Sequence, residues 1–218
     1  MTVHGLHLQD GALPRSAMAR VVIDTMTATR NNIDALRADE TFADSVVDAA
    51  TLLAEALRAE QKVLVCGNGG SLCDAMHFAE ELSGNFRLPR PALSAIALAD
   101  AAHLTAVGND FSYDQVFARG VEAHGRCGDV LVTLSTSGNS PNVLAAVQRA
   151  KEKRISTIGL VGRADSPLAA AVDVPIVTGT QTKWADRVQE LHIIVIHTLI
   201  ELVEATLFES DQAEMHLA

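Results

Sequence analysis

The sequence is short of basic residues. Its 218 residues contain 17 Lys and Arg against 27 Asp and Glu, which gives a formal net charge of −10 at pH 7. This negative charge disfavours contact with nucleic acid and with anionic bilayers, so we expect no nucleic-acid partner and no membrane association. An anionic small molecule would have to be held by local dipoles and a few cations against the overall field.

Cysteines and long apolar runs are also scarce. The three cysteines are an odd number and form no C-x-x-C pair, which predicts reduced thiols and a cytoplasmic protein. No continuous apolar stretch occurs before Arg20, so we expect no signal peptide. The longest apolar segment, 191–203, is interrupted by His192, His197 and Glu201, and we therefore predict that it does not span a membrane.

Three common catalytic motifs are absent from the sequence. There is no G-x-x-x-x-G-K-[ST] loop, which disfavours a nucleoside triphosphatase. The glycine-rich segment at 67–70 does not match the dinucleotide motif G-x-G-x-x-G, and no serine occupies a G-x-S-x-G elbow. The function therefore has to be sought in other turns of the chain.

Strand-like and helix-like segments alternate from Lys62 onward. Apolar runs predict buried strands at 62–67, 93–98, 129–134, 155–161 and 174–177. Helices are predicted between and after them at about 71–83, 101–107, 114–124, 141–153 and 184–208. Repeated βα units predict a five-stranded parallel sheet in a three-layer α/β/α sandwich, with ligands at the carboxyl ends of the strands.

Two amphipathic helices are predicted before the first strand, at about 16–36 and 41–60. They are more than a three-layer sandwich needs, so they either cover an edge of the sheet or pair with the same helices of another subunit. The predicted organisation is a lead-in with two helices over 1–60, one compact α/β unit with those helices over 61–210, and a tail over 211–218.

Two turns have the composition of anion-binding sites. The first, after the strand at 62–67, reads Gly67-Asn68-Gly69-Gly70-Ser71. Its glycines allow close approach of the backbone, and the N–H groups of the next helix point at a ligand. The second, called here the serine turn, has four hydroxyls and no lysine, and reads Ser135-Thr136-Ser137-Gly138-Asn139-Ser140. One hydroxyl suffices to cap the helix that begins at Pro141, so four indicate a ligand.

Other polar residues are predicted near the same rim or on its helices. Asn68, Asn109 and Asp110 fall at the ends of elements, although Asn and Asp are ordinary turn residues as well. His77 and Glu81 are four apart on one helix and share a face, which allows an acid/base pair or part of a metal site. By spacing alone they also fit an ordinary surface pair.

The last predicted helix carries polar residues in an apolar sequence, namely Asp186, Gln189, Glu190, His192 and His197. Polar groups on such a helix are costly unless they are paired or used. Taken alone, His197 would be interpreted as a core histidine. Taken with the earlier helix, His77, Glu81, Gln189 and His197 could surround a divalent metal such as zinc, although glutamine is an uncommon ligand.

These segments together closely resemble the phosphoheptose isomerases of the sugar isomerase (SIS) domain superfamily. The matching segments are 67–82, 107–110, 135–140 and 185–197, in the same order and spacing, and the similarity runs over about 20–208. The serine turn marks only the superfamily. The pairs His77/Glu81 and Gln189/His197 are the more specific part of the resemblance.

The resemblance implies the flavodoxin-like SIS fold and an aldose–ketose isomerase acting through an enediol. The substrates would be sedoheptulose 7-phosphate and D-glycero-D-manno-heptose 7-phosphate. It also implies a homotetramer with sites built between subunits, the N-terminal helices in the assembly core, and one zinc ion per subunit.

The resemblance further assigns roles to individual residues. It implies that the phosphate is held by Ser135, Thr136, Ser137 and Ser140. It implies that the sugar is lined by Asn68, Gly69, Gly70, Ser71, Glu81, Asn109, Asp110, Asp186 and Gln189. The implied zinc ligands are His77, Glu81, Gln189 and His197. Enediol chemistry needs a base and an acid, and the candidates are Glu81 and His197 respectively. The metal's role is left open as catalytic or structural.

Two departures from the family bear on the substrate. Asn85 stands where relatives often carry arginine, and the segment 178–184 is unusual; both could reshape the sugar end of the pocket. Isomerases of related heptose or octose phosphates in secondary metabolism therefore remain an alternative. A second alternative is a non-catalytic SIS protein that binds a sugar phosphate or a protein partner, which need not keep Glu81 and His197.

Overall fold

A computed structural model describes residues 13–87, 89–179 and 184–215. Within these residues five parallel strands form one sheet in the order β2-β1-β3-β4-β5. The strands are Val63–Gly67 (β1), Ala95–Ala97 (β2), Val130–Ser135 (β3), Ser156–Val161 (β4) and Val174–Val177 (β5). This order places β1 and β3 side by side, so the turns that follow them meet at one edge of the sheet, and the predicted five-stranded parallel sheet is confirmed.

Eight helices are found in the described residues. They are Arg15–Arg37 (α1), Glu40–Arg58 (α2), Gly70–Ser83 (α3), Ala101–Asp110 (α4), Val116–His124 (α5), Pro141–Glu152 (α6), Pro167–Ala171 (α7) and Ala185–Met215 (α8), with a short 3₁₀ turn at Tyr113–Gln115. Both predicted N-terminal helices are present, with bounds shifted by one or two residues.

Alternation along the strands sends apolar side chains to both faces of the sheet. Val63 and Val65 of β1 pack with α2, α3 and α8. Their neighbours Leu64 and Cys66 pack with α5, α6 and α7 on the opposite face. Two separate cores therefore flank the sheet, which confirms the three-layer sandwich. The Cys66 thiol lies in the second core, and burial raises its pKa to about 12.

Three helices differ from the sequence-based prediction. Asn109 and Asp110 belong to the last turn of α4, because Gly108 inside a helix lowers stability without ending it. The five-residue α7 was not predicted, although Ser166 caps it and Pro167 occupies its first position. The last helix continues to Met215, since no glycine or proline follows 208 to stop it, so 211–215 is helical.

Some predictions fall on residues that are not described. The lead-in over 1–12, the segment 180–183 and the last three residues of the predicted tail lie outside the described part of the chain.

Helix α8 is the central helix of the first core. By length and composition alone, Ala185–Phe208 could cross a membrane. The core helix of a globular protein passes the same test, and residues such as Leu191, Ile196 and Leu199 are fully buried against the sheet and its neighbouring helices. Helix α1, in contrast, has no buried residue.

Candidate active site

The glycine turn joins β1 to α3 in a conformation that depends on its sequence. Gly69 has a φ of 57°, in the left-handed region that glycine tolerates. A Cβ at Gly70 would clash with the amide end of the Gln189 side chain, so glycine lets that amide lie against the turn. No side chain caps the start of α3; the N–H groups of Ser71, Leu72 and Cys73 donate to the carbonyl oxygens of Asn68 and Gly69. The positive end of the helix dipole still lies at this turn and favours an anion.

The serine turn joins β3 to α6 and is fixed by its own hydroxyls. Gly138 N donates to Ser135 Oγ over 3.1 Å, and Asn139 N donates to Ser137 Oγ over 3.2 Å. The Ser135 and Ser140 hydroxyls are 3.3 Å apart. Ser140 is the residue before α6 but makes no side-chain capping bond. The hydroxyls therefore do more than cap a helix.

The two turns enclose a small polar cavity of about 70 Å³, called here the cradle. It is lined by Asn68, Ser71, Leu134, Ser135, Thr136, Ser137, Ser140 and Gln189. None of these side chains carries a charge. An anion in the cradle would be held by hydroxyls, an amide and backbone N–H groups, which is how anion sites without lysine are built.

Two residues that sequence reasoning missed fix Asn68 at the rim of the cradle. Asn68 and Asn142 exchange amide hydrogen bonds of 2.9 and 2.8 Å across the sheet edge. Asn142 is 1% exposed, and the Tyr113 hydroxyl donates to Asn68 Oδ1 over 3.0 Å. The sequence shows an asparagine in the first turn of the predicted helix at 141–153, but it does not show that its partner lies 74 residues away.

A cluster of titratable side chains, called here the trio, lies further along α3 and α8. It consists of His77, Glu81 and His197, whose candidate ligand atoms lie within 4.8 Å of one another. The two histidine Nε2 atoms are 2.9 Å apart, and His77 Nε2 is 3.6 Å from Glu81 Oε1. The ring of Phe86 packs 5.7 Å from that of His197 between centroids.

The trio has the donor set and spacing of a zinc site. Zn²⁺ bound by nitrogen and oxygen at about 2.0–2.2 Å in tetrahedral geometry holds its ligand atoms about 3.4 Å apart. The observed separations of 2.9 and 3.6 Å bracket that value. Two imidazole nitrogens and a carboxylate oxygen are ligands that zinc commonly takes in proteins, so the three residues fit the ion.

Gln189, the fourth predicted ligand, lies elsewhere in the same chain. Its amide contacts Gly70 and lines the cradle. It precedes His197 by eight residues, which is a rise of about 12 Å along a helix. Within one subunit the structure therefore brings together three of the four predicted ligands.

Some predicted sugar-binding residues lie on exposed helix ends and do not line the cradle in this chain. Asn109 and Asp110 are exposed at the end of α4, where Asn109 Nδ2 donates to Asp110 Oδ1 over 2.8 Å. Asp186 is exposed in the first turn of α8, and its hydrogen bond with the Arg187 guanidinium lowers its pKa. Asn85, the departure noted above, is exposed in the loop after α3.

Asp74 is another residue that the sequence did not single out. It lies one turn before His77 on α3, and among the described residues its buried Oδ2 has no hydrogen-bond partner. Burial raises its pKa, and the attraction of His77 partly opposes that shift.

Comparison with known proteins gives consistent matches. The SIS domain family model matches residues 28–162, which include both turns and end before α8. The chain is 52% identical over 166 residues to the phosphoheptose isomerase of Enterobacter sp. (strain 638), covering 76% of this chain and 86% of that protein. It is 49% identical over 184 residues to the phosphoheptose isomerase of Aeromonas hydrophila, covering 84% and 95%.

A solved structure agrees with the sequence matches. The structure of phosphoheptose isomerase GmhA from Neisseria gonorrhoeae superposes with a TM-score of 0.75 at 37% identity. The superposition covers 88% of this chain and 98% of that one. The likeness therefore extends over the sheet and the helices on both of its faces.

Proposed function

Because this chain belongs to the phosphoheptose isomerase family of SIS-domain proteins, we propose that it interconverts sedoheptulose 7-phosphate and D-glycero-D-manno-heptose 7-phosphate. One observation supports the proposal above others: α3 begins at an uncharged anion cradle and carries two members of an acid–base trio. A phosphorylated sugar needs the first, and moving a proton between adjacent carbons needs the second.

The cradle would hold the phosphate group. Ser135, Thr136, Ser137 and Ser140 would donate hydroxyl hydrogen bonds, and the positive end of the α3 dipole would add to the attraction. The remaining proposed sugar contacts are Asn68, Gly69, Gly70, Ser71, Asn109, Asp110, Asp186 and Gln189. Those that lie outside the cradle in one chain would reach the sugar in the assembled oligomer.

The isomerisation would proceed by transfer of one proton between carbons. Glu81 would take the proton from C1 of the ketose as the C1–C2 double bond forms, while His197 gives a proton to the C2 oxygen. The enediol would collapse when His197 accepts the proton of the C1 hydroxyl and Glu81 returns its proton to C2. Each general acid or base would contribute roughly 10²–10⁴-fold.

We propose zinc as the metal, held by one ring nitrogen each of His77 and His197 and one carboxylate oxygen of Glu81, with Gln189 as a further ligand. Proton transfer would then use the second oxygen of Glu81 and the other ring nitrogen of His197, because an atom bound to the metal carries no proton. The rise along α8 favours a Gln189 from a neighbouring subunit. Zinc would supply Lewis-acid polarisation of the carbonyl. Elemental analysis of protein purified without chelators tests the metal, and His77→Ala should abolish it while phosphate binding persists. Full activity at near-zero metal content would leave a metal-free acid–base isomerase.

The surface of the N-terminal helices supports a homotetramer with shared active sites. Helix α1 exposes Met18, Val21, Val22, Ile23 and Met26. Beside it an apolar groove of about 250 Å³ runs between α2 and α8, and its wall includes Val47 and Ile194. Ile194 precedes His197 by less than one turn, so a copy docked on this groove would lie next to the trio.

The tetramer and the location can each be tested. Ile194→Glu should dissociate the assembly in sedimentation velocity, because a charge in an apolar contact is costly. We propose a cytoplasmic location, which the three free cysteines support.

The reaction itself is tested by incubating the purified protein with sedoheptulose 7-phosphate and following aldose formation. Glu81→Gln is the control, because it keeps the shape of the side chain and removes the base. Absence of aldose product with wild-type protein, while phosphate binding is retained, would contradict the proposed function. An octose phosphate that turned over faster would move the substrate to a related sugar.

A further inference from the structure

A buried ion pair joins the loop after α3 to α8. Arg90 Nε donates to Glu204 Oε1 over 2.7 Å, and the side chains are 0% and 2% exposed. Charges removed from water are costly unless their remaining hydrogen-bonding groups are also satisfied. The other partners of this pair therefore indicate what the charges do.

The rest of the Arg90 guanidinium caps the carboxyl end of α3. Nη2 donates to the carbonyl oxygen of Glu81 over 2.8 Å, and Nη1 donates to that of Leu82 over 2.9 Å. The last carbonyls of a helix lack intrahelical partners and carry the negative end of its dipole. Helix α3 has no basic residue in its own last turn. Arg90 thus supplies the missing cation at the peptide group of the proposed base.

Glu204 makes the matching connection on the side of the proposed acid. It follows His197 by seven residues on α8, so the two side chains lie on one face two turns apart. Its second oxygen accepts a hydrogen bond from Arg87 N over 3.2 Å. Arg87 follows Phe86, whose ring packs on His197.

We propose that the Arg90–Glu204 pair positions Glu81 and His197 relative to one another for proton transfer. The inference rests on the roles given to those two residues under the proposed function. Apolar side chains in the same place would also hold α3 to α8, but apolar contact is not directional. The charged pair fixes the rotation and register of both helices through four directional hydrogen bonds.

A double substitution separates positioning from stability. Replacing both members of a buried ion pair by apolar residues is often neutral or stabilising, whereas removing one leaves an unpaired charge. Arg90→Met combined with Glu204→Leu leaves no unpaired charge, so the protein should stay folded and keep its affinity for inorganic phosphate. Its melting temperature should fall by a few degrees, because the Glu81 carbonyl and Arg87 N lose their partners. The turnover number should fall by roughly 10²-fold, the scale of a 1 Å misplacement. KM should change little, because the cradle holds the phosphate.

A spectroscopic measurement tests the same inference without turnover. In zinc-free protein the ring ¹⁵N shifts of His77 and His197 report their 2.9 Å contact, and the double variant should change them. Unchanged shifts, or unchanged turnover in an active enzyme, would overturn the inference. If wild-type protein proves inactive, the shifts alone decide, so failure of the proposed function is distinguished from failure of the positioning role.

Two further variants complete the design. Arg90→Lys keeps the charge but loses the planar fork, so it should recover part of the lost turnover relative to the double variant. It also serves as the folded test if the double variant fails to fold. Glu201→Gln is the matched control, because this carboxylate on the same helix pairs with Arg87 at the surface. Its turnover should equal that of the wild type, and a loss equal to that of the double variant would overturn the assignment.

Discussion

The cradle and the trio, the two polar regions that α3 and α8 contribute to, differ in the side chains that form them. The cradle is made of hydroxyls, amides and backbone groups, and none of its lining side chains is charged. The trio consists entirely of titratable side chains. The cradle is shaped by local turns with glycines at 69, 70 and 138, whereas the trio depends on how two helices pack. Binding and reaction are therefore separable, and substitutions should affect one without the other.

The largest expected effect is at the trio. Glu81→Gln and His197→Asn should each lower the turnover number by roughly 10²–10⁴-fold, because each removes one proton-transfer group. Neither side chain contributes to the buried core, so the melting temperature should hold. Steady-state kinetics with sedoheptulose 7-phosphate measures the loss.

The control for this prediction is the other region. Inorganic phosphate should bind both variants as it binds the wild type, which isothermal titration can measure. Near-normal turnover in either variant would remove that residue from the mechanism. A loss of phosphate affinity would contradict the prediction that the cradle binds phosphate independently of the trio.

The next largest effect is at the cradle. Ser137→Ala and Ser140→Ala should weaken sugar phosphate and inorganic phosphate together, since each removes a hydroxyl donor to an anion. A hydrogen bond to a charged group contributes roughly 1.5–3 kcal/mol, which is about 10- to 100-fold in affinity. The control is Ser94→Ala, an exposed hydroxyl at the opposite edge of the sheet. Equal affinities in all three variants would show that the backbone alone holds the phosphate.

Sequence reasoning located the two turns of the cradle but not the side-chain contacts that join them to other elements. Both turns follow buried strands, so their composition and place in a parallel sheet already predicted a common edge. The network of Asn68 with Asn142 could not be predicted, because it joins residues 74 apart whose approach depends on the β1–β3 pairing. The same limit applies to Gly70, whose neighbour Gln189 lies on α8.

The two histidines of α8 show what hydrophobic periodicity cannot predict. His192 and His197 both interrupt an apolar helix, and sequence alone would make either a core residue. Packing sends His192 to full burial, where among the described residues neither ring nitrogen has a partner. It leaves His197 half-buried against His77. Periodicity does not distinguish the histidine proposed for chemistry from the one in the core; the family resemblance and the contact of His197 with His77 on α3 do.

A smaller effect is expected at the contact between the cradle and α8. Gly70→Ala would place a methyl group 2.4 Å from Gln189 Nε2, so Gln189 must move away from the cradle. The clash is with the end of a flexible side chain that can rotate away, so we expect little change in the free energy of unfolding and weaker phosphate binding. Chemical denaturation measures the first and titration the second. Gly108→Ala is the control, since no atom lies within 4 Å of its added Cβ, and it should be neutral or slightly stabilising.

The smallest expected effect is on the pH dependence of the free energy of unfolding, and it concerns His192, the buried histidine near the trio on α8. Burial lowers the pKa of His192 from 6.5 to about 4. Between these values the unfolded chain binds a proton that the folded chain does not, so the free energy of unfolding should fall as pH drops from 6.5 toward 4. In His192→Leu that contribution is absent, and the melting temperature should fall less steeply over the same range. The slope is the readout, because the substitution also removes two ring nitrogens and changes stability at every pH.

Zinc held by the trio should be lost at acidic pH in both proteins, since bound imidazoles must be deprotonated. Equal slopes in the two proteins would show that His192 is not the source of the acid sensitivity.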